Sequence, residues 1–192
     1  MAVPGLVSDA AFFALLAERK FPAGRFIRSA AQLNYLQEPD VVHDVFGHAP
    51  MLADPIFADY MQAYGRGGLK ALGRGQLHHL ARLYWYTVEF GLMEEAGGLK
   101  IYGAGIASSH GECLYALESP TPHRLNFDLR RIMRTPYKID AFQGIYFAIP
   151  SLQALLDATL SDFDRLYAGL AQDRDLELDV LTSDDRILHR SA

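Results

Sequence analysis

Apolar residues recur along most of the chain at three- and four-residue intervals, broken by clusters of glycine and proline. That pattern predicts a mainly α fold with a few short β-strands. Residues 8–19 read as a first helix. Ser8 or Asp9 caps it, and Phe12, Phe13, Leu15 and Leu16 form its apolar face. Phe21-Pro22-Ala23-Gly24 is a turn, and Arg25 to Arg28 is short and β-like. A helix from Ser29, with Gln32 completing a capping box, ends near Glu38-Pro39. Asp54-Pro55 is a strong helix start, and that helix runs to about Tyr64 with Ile56, Tyr60 and Met61 on one side.

Glycines 67, 68, 73 and 75 mark a flexible connection. Residues 76–95 give the longest helical pattern, with Leu80, Leu83, Val88 and Leu92 near one stripe, ended by Gly97-Gly98. His78 and His79 fall at its polar start and read as solvated. Residues 100–109 read as a strand or tight loop, 111–117 as a helix, and Ile145–Ile149 as a strand. Residues 151–170 read as one helix, followed by a tail over 171–192 with a β-like alternation from Leu176 to Leu181. No repeat or composition shift divides the 192 residues, so one domain is expected.

Composition narrows the function classes. A formal charge of −5 argues against nucleic acid or an anionic membrane as partner. No apolar run approaches the 18 residues of a membrane span, and the N-terminus lacks the pattern of a signal peptide. Cys113 is the single cysteine, which excludes an intrachain disulfide and a cysteine-based zinc site. A reducing cytoplasm is the expected compartment.

The candidate chemistry lies in two apolar stretches. His43 and His48 stand five residues apart within Glu38–Pro50, and Glu89 interrupts the aromatic run Leu83–Leu92. A histidine on an apolar face is commonly a satisfied core residue. A carboxylate among Tyr, Trp, Val and Phe is different: once buried, it needs a partner or a metal. Two histidines and one carboxylate with open positions form the facial pattern of non-heme Fe(II) oxygenases. The spacing differs from the i, i+4 pair of zinc proteases. On a regular helix it sets the rings roughly 140° apart. The backbone must therefore depart from a regular helix, and Gly47 and Pro50 place the pair at a helix end where the chain turns.

Three stretches together resemble the pterin-dependent aromatic amino acid hydroxylases, most closely their bacterial phenylalanine-hydroxylating members. The family's E-P-D-x-x-H-[ED]-x-x-G-H-x-P stands at Glu38–Pro50, Y-W-[FY]-T-V-E-F-G-L at Tyr84–Leu92, and Y-G-A-G-x-x-S-S-x-G-E at Tyr102–Glu112. The similarity runs from about Pro4 to Tyr167. Relative to the family the chain is short at its N-terminus, and it lacks the C-terminal tetramerisation helix of animal members. A monomer is expected.

The resemblance implies one catalytic domain holding Fe(II) through His43, His48 and Glu89. It implies a tetrahydropterin, tetrahydrobiopterin or similar, as cosubstrate, with O2. It assigns Arg28 to the substrate carboxylate, where the residue alone reads as a surface charge. Asp40 would support that arginine, Trp85 would wall the substrate pocket and Ser108 would lie at its first-histidine end. Gly5, Val7, Phe12, Asp44 and Tyr84 match the pterin side. The implied reaction is ring hydroxylation, phenylalanine to tyrosine. Tryptophan or another aromatic amino acid, a zinc hydrolase on the same three ligands, and a non-catalytic amino-acid or pterin sensor are the alternatives.

Overall fold

A computed structural model describes residues 1–3, 7–30 and 39–188. The expected helix from Ser29 to Pro39 falls largely outside those residues, as does Gly5. The rest is mainly helical with a few short strands.

Helix α1 (Asp9–Ala17) starts where the Ser8 side chain accepts the Ala11 amide. It packs along α3 (Pro55–Leu72), which Asp54 caps through the amides of Ile56 and Phe57. Helix α3 does not stop at Tyr64; it continues through three glycines. At Gly65 an added Cβ would lie 2.5 Å from the Ala17 amide nitrogen, and at Gly68 it would lie 2.0 Å from the Phe13 ring. Gly65 and Gly68 therefore serve close helix approach, not flexibility, and their modest helix-propensity cost is offset by packing.

Strand β1 (Ala2–Val3) pairs in parallel with β2 (Ala23–Gly24), inside the expected turn. Among the described residues no strand covers Arg25 to Arg28. A π-helix at His43–His48 leads directly into α2 (Ala49–Leu52). The two histidines are thus not at a helix end. The wide i→i+5 turn brings positions five apart towards one side, which an α-helix would not.

The long expected helix over 76–95 is three elements. Helix α4 (Leu77–Tyr84) passes into a second π-helix (Trp85–Glu89), and β3 (Gly91–Glu95) follows. Leu92 belongs to the sheet. Gly91 forces the change: a Cβ there would lie 2.2 Å from the Thr87 carbonyl oxygen and 2.3 Å from the Tyr102 ring. His78 is exposed, but His79 is buried, and its Nδ1 lies 2.9 Å from the Met133 carbonyl.

Strand β4 (Gly98–Ile101) is antiparallel to β3. Helices α5 (Ala104–Ala107) and α6 (His110–Glu118) lead to β5 (His123–Asn126), and α7 (Leu129–Met133) precedes β6 (Ile145–Ile149). The sheet order is β4-β3-β6-β5, with β6 parallel to both neighbours and Gly91 opposite Phe147. All five residues of β6 are buried, as its continuous apolar run requires of a central parallel strand.

The expected helix 151–170 is two, α8 (Leu152–Ala158) and α9 (Phe163–Leu170), each capped by its own side chain, Ser151 and Asp162. The tail forms no strand at Leu176–Leu181 among the described residues. It is pinned by charge instead. Asp173, Asp175, Asp179 and Asp185 pair with Arg130, Arg82, Lys138 and Arg131. Of these four, only Asp179 lies within the alternation that reads as a strand.

Candidate metal centre

The two π-helices and the start of the 39–44 segment build the site. His43 Nε2 lies 3.0 Å from His48 Nε2. Glu89 completes the trio, its two carboxylate oxygens 3.4 Å from His43 Nε2 and 3.2 Å from His48 Nε2. Among the described residues no other group of three such donors converges. Donors each about 2.1 Å from a common ion stand about 3 Å apart, so these spacings fit one metal.

The hydrogen bonds around His43 settle which nitrogen faces the site. Its Nδ1 lies 2.8 Å from Ser108 Oγ, and Ser108 Oγ can donate to the Gly105 carbonyl at 3.4 Å. The Nδ1–H therefore donates outward and Nε2 presents a lone pair inward, the arrangement of a metal-ligating histidine. Burial alone would push the His43 imidazole down, but the Glu89 charge prevails and raises it. Burial likewise opposes charge on Glu89, yet His48 and His43 hold its carboxyl well below the usual carboxylate range. The trio is a cation site by its electrostatics as well as its geometry.

Asp40 organises the approach to His43. It is fully buried and accepts Arg28 Nε at 3.0 Å and Nη2 at 2.7 Å, a two-pronged pair. It also accepts the backbone amides of Arg28 and His43. Burial opposes the Asp40 charge, but these donors outweigh it and hold the carboxyl well below its ordinary range. Arg28 Nη1 donates to the Ser108 carbonyl at 2.6 Å. Among the described residues these three contacts use three of its five N–H bonds. Arg28, Asp40 and Ser108 are thus brought together beside His43.

A cavity of about 280 Å³ opens onto the trio. Val7, Phe12, Asp44 and Tyr84 line it together with His43, His48 and Glu89. The Phe12 and Tyr84 rings meet edge to face at 5.7 Å. Asp44 Oδ2 accepts the Gly24 amide at 2.7 Å and fixes β2 as one wall. Trp85 does not line this cavity. Its ring stacks on Tyr137 at 4.3 Å and lies 4.7 Å from Phe90. Sequence reasoning missed Phe21, whose ring lies 4.6 Å from that of His48. A large aromatic within an otherwise turn-forming run is the one signal that marked it.

The fold and trio define a mononuclear metal centre of the two-histidine, one-carboxylate class, set beside an aromatic cavity. The chain belongs to the biopterin-dependent aromatic amino acid hydroxylase family, whose sequence profile matches residues 1–190. It is 59% identical over 190 residues to the phenylalanine-4-hydroxylase of Caulobacter vibrioides, covering 99% of this chain and 65% of that relative. It therefore spans less than two thirds of that relative's length. Among solved structures, phenylalanine hydroxylase from Chromobacterium violaceum bound to cobalt superposes with a TM-score of 0.94 at 54% identity, covering 97% of this chain and 68% of that one. The same enzyme with bound oxidised Fe(III) gives 0.93 at 54% identity, with the same coverage.

Proposed function

We propose that this chain acts as an Fe(II)- and tetrahydropterin-dependent monooxygenase that hydroxylates the ring of an aromatic amino acid, phenylalanine to tyrosine, with O2. The observation that carries this is the convergence of His43, His48 and Glu89 at one wall of an aromatic-lined cavity. A family relative with Fe(III) bound supports iron over zinc. Iron held by these three residues supplies the centre for O2 activation, and a reduced pterin supplies electrons.

The chain's own residues do the rest. Three protein ligands on one side leave positions open opposite them. Ser108 holds the His43 ring so that Nε2 faces the metal. Phe12 and Tyr84 present ring surfaces suited to a flat bicyclic cosubstrate, and Asp44 places a carboxylate beside them. Arg28, oriented by Asp40, offers its guanidinium to the carboxylate of the amino acid. Trp85, backed by Tyr137, forms an aromatic wall on the substrate side. Burial of His43 and His48 limits water at the reacting centre.

We read residues 1–192 as a single catalytic unit, monomeric and cytoplasmic, with no nucleic-acid or membrane partner. In support, the net charge is −5 and no described helix is long and apolar enough to cross a membrane.

The test is product analysis by mass spectrometry. Protein loaded anaerobically with Fe(II) is given phenylalanine, a tetrahydropterin and O2. Tyrosine formed only with all components present is the expected result. Product from tryptophan but not phenylalanine would reassign the substrate. No product from any aromatic amino acid, with one iron bound per chain, would overturn the activity.

A further inference from the structure

Glu89 reaches the histidines only because the helix that carries it changes register. Helix α4 ends at Tyr84, and the next turn closes with the Phe90 amide on the Trp85 carbonyl at 2.8 Å, an i→i+5 bond. Such a turn contains one residue more than an α-turn. Removing the extra residue would swing everything after it by about 100°. An isolated π-turn is rare, so something must hold it open.

Thr87 sits in the middle of that turn and is fully buried. Its Oγ1 donates to the Leu83 carbonyl, four residues back in α4. Threonine back-bonding of this kind bends helices and loosens their regular ladder. The Thr87 hydroxyl has one proton, and the Leu83 carbonyl takes it. The Tyr60 phenol, 3.1 Å from Thr87 Oγ1, must then be the donor to Thr87. Tyr60 is itself fully buried on α3, the helix locked against α1 at Gly65 and Gly68. A directed chain of hydrogen bonds thus runs from the rigid helical core into the π-turn.

We infer that the Tyr60–Thr87 hydroxyl pair is the positioning device for Glu89: it holds the second π-helix open so that the carboxylate faces His43 and His48. Neither residue touches the metal, the pterin or the amino acid in this assignment. The inference rests on the metal-centre reading above and deepens it.

Cobalt(II) titration of the purified chain separates the two. The probe needs no turnover, and its visible absorption reports ligand geometry directly. Wild type is expected to bind one Co(II) in competition with Fe(II). Thr87→Val, close in shape but without the hydroxyl, is expected to bind Co(II) about tenfold more weakly and to shift its visible spectrum. Thr87→Ser restores both. Tyr60→Phe shifts both in the same direction as Thr87→Val, and the double variant is no weaker than Thr87→Val alone, since the chain is already broken.

A purely structural role would lower the melting temperature and leave the Co(II) spectrum of folded protein unchanged. That result in Thr87→Val overturns the inference. Should Thr87→Val not fold, wild-type affinity and spectrum in Tyr60→Phe overturn it equally. Wild type that binds no Co(II) overturns the metal-centre reading itself, and this inference with it.

Discussion

His43 Nε2 and His48 Nε2 stand 3.0 Å apart with the outward nitrogen of His43 already committed to Ser108. Two ring nitrogens at that distance need a proton or a metal between them. Glu89, partly buried beside them and held ionised, selects the positive charge. A shared cation would relieve that demand on all three groups at once.

Replacing any one ligand removes that relief. His43→Ala, His48→Ala and Glu89→Ala are each expected to lower bound iron from about one per chain to near zero. The far-UV circular dichroism should stay close to wild type, because the trio lies at a cavity wall and not in the main apolar cluster. Elemental analysis of purified protein checks the first expectation. A variant that retains full iron would exclude its residue as a ligand.

Ser108 and Arg28 separate two functions that lie side by side. Ser108→Ala removes the acceptor for His43 Nδ1 but keeps the backbone carbonyl that Arg28 uses. It is expected to weaken metal binding about 10- to 100-fold, with little change in KM for the amino acid. Arg28→Lys keeps the charge and loses the planar fork. It is expected to raise KM for the amino acid at least about tenfold, with the pterin KM within about twofold. Steady-state kinetics on iron-loaded protein reads both. Equal loss of amino acid and pterin binding in Arg28→Lys would make Arg28 a structural residue.

The Arg131–Asp185 pair links α7 to the tail and is nearly buried at both ends. Burial disfavours charge on Asp185, but Arg131 and the Thr182 amide hold its carboxyl below the ordinary value. A lowered folded-state value means the stabilisation is present above the unfolded carboxylate value of about 3.9 and is lost as pH falls through the folded value. Wild type should therefore lose melting temperature as pH falls below about 4. Asp185→Asn should be less stable by about 3 kcal/mol at pH 7, since a buried arginine loses its partner, and flatter in acid. Thermal melts from pH 3 to pH 7 test this. Parallel curves for the two proteins would remove Asp185 from the acid transition.

Gly68→Ala probes the contact between α1 and α3. The added methyl carbon would meet the Phe13 ring at 2.0 Å, which the ring cannot avoid without disturbing Tyr64 beside it. A loss of about 1–3 kcal/mol is expected, against the gain of roughly 1 kcal/mol that alanine gives an open helix position. Gly67→Ala has nothing within 4 Å of its new carbon and should be neutral or stabilising. Urea denaturation of the pair checks the contrast.

The trio was legible in the sequence because its chemistry is carried by residue type: a carboxylate in an aromatic run and two histidines in an apolar one. The element types followed from periodicity wherever packing agreed with propensity, as in α1 and β6. They failed where packing overrode it. The glycines of α3 look like a linker, and only the opposing Phe13 and Leu16 explain Gly65 and Gly68. Neither π-turn has a periodicity distinct enough to predict. The first was visible only as a contradiction, the five-residue spacing of two histidines that needed one metal; the second lay hidden in the pattern read as one helix over 76–95. Phe21 and Tyr137 were missed because their partners, His48 and Trp85, are distant in sequence.

Trp85 is the single tryptophan in the chain. It opens the second π-helix, stacked on Tyr137 and tilted against Phe90, four residues before Glu89. Its indole N–H is buried without a hydrogen-bond partner among the described residues. All tryptophan emission from this protein therefore comes from one ring at the junction of the metal centre and the sheet. The chain carries an intrinsic optical reporter there, and stopped-flow fluorescence can follow events at that junction without any label.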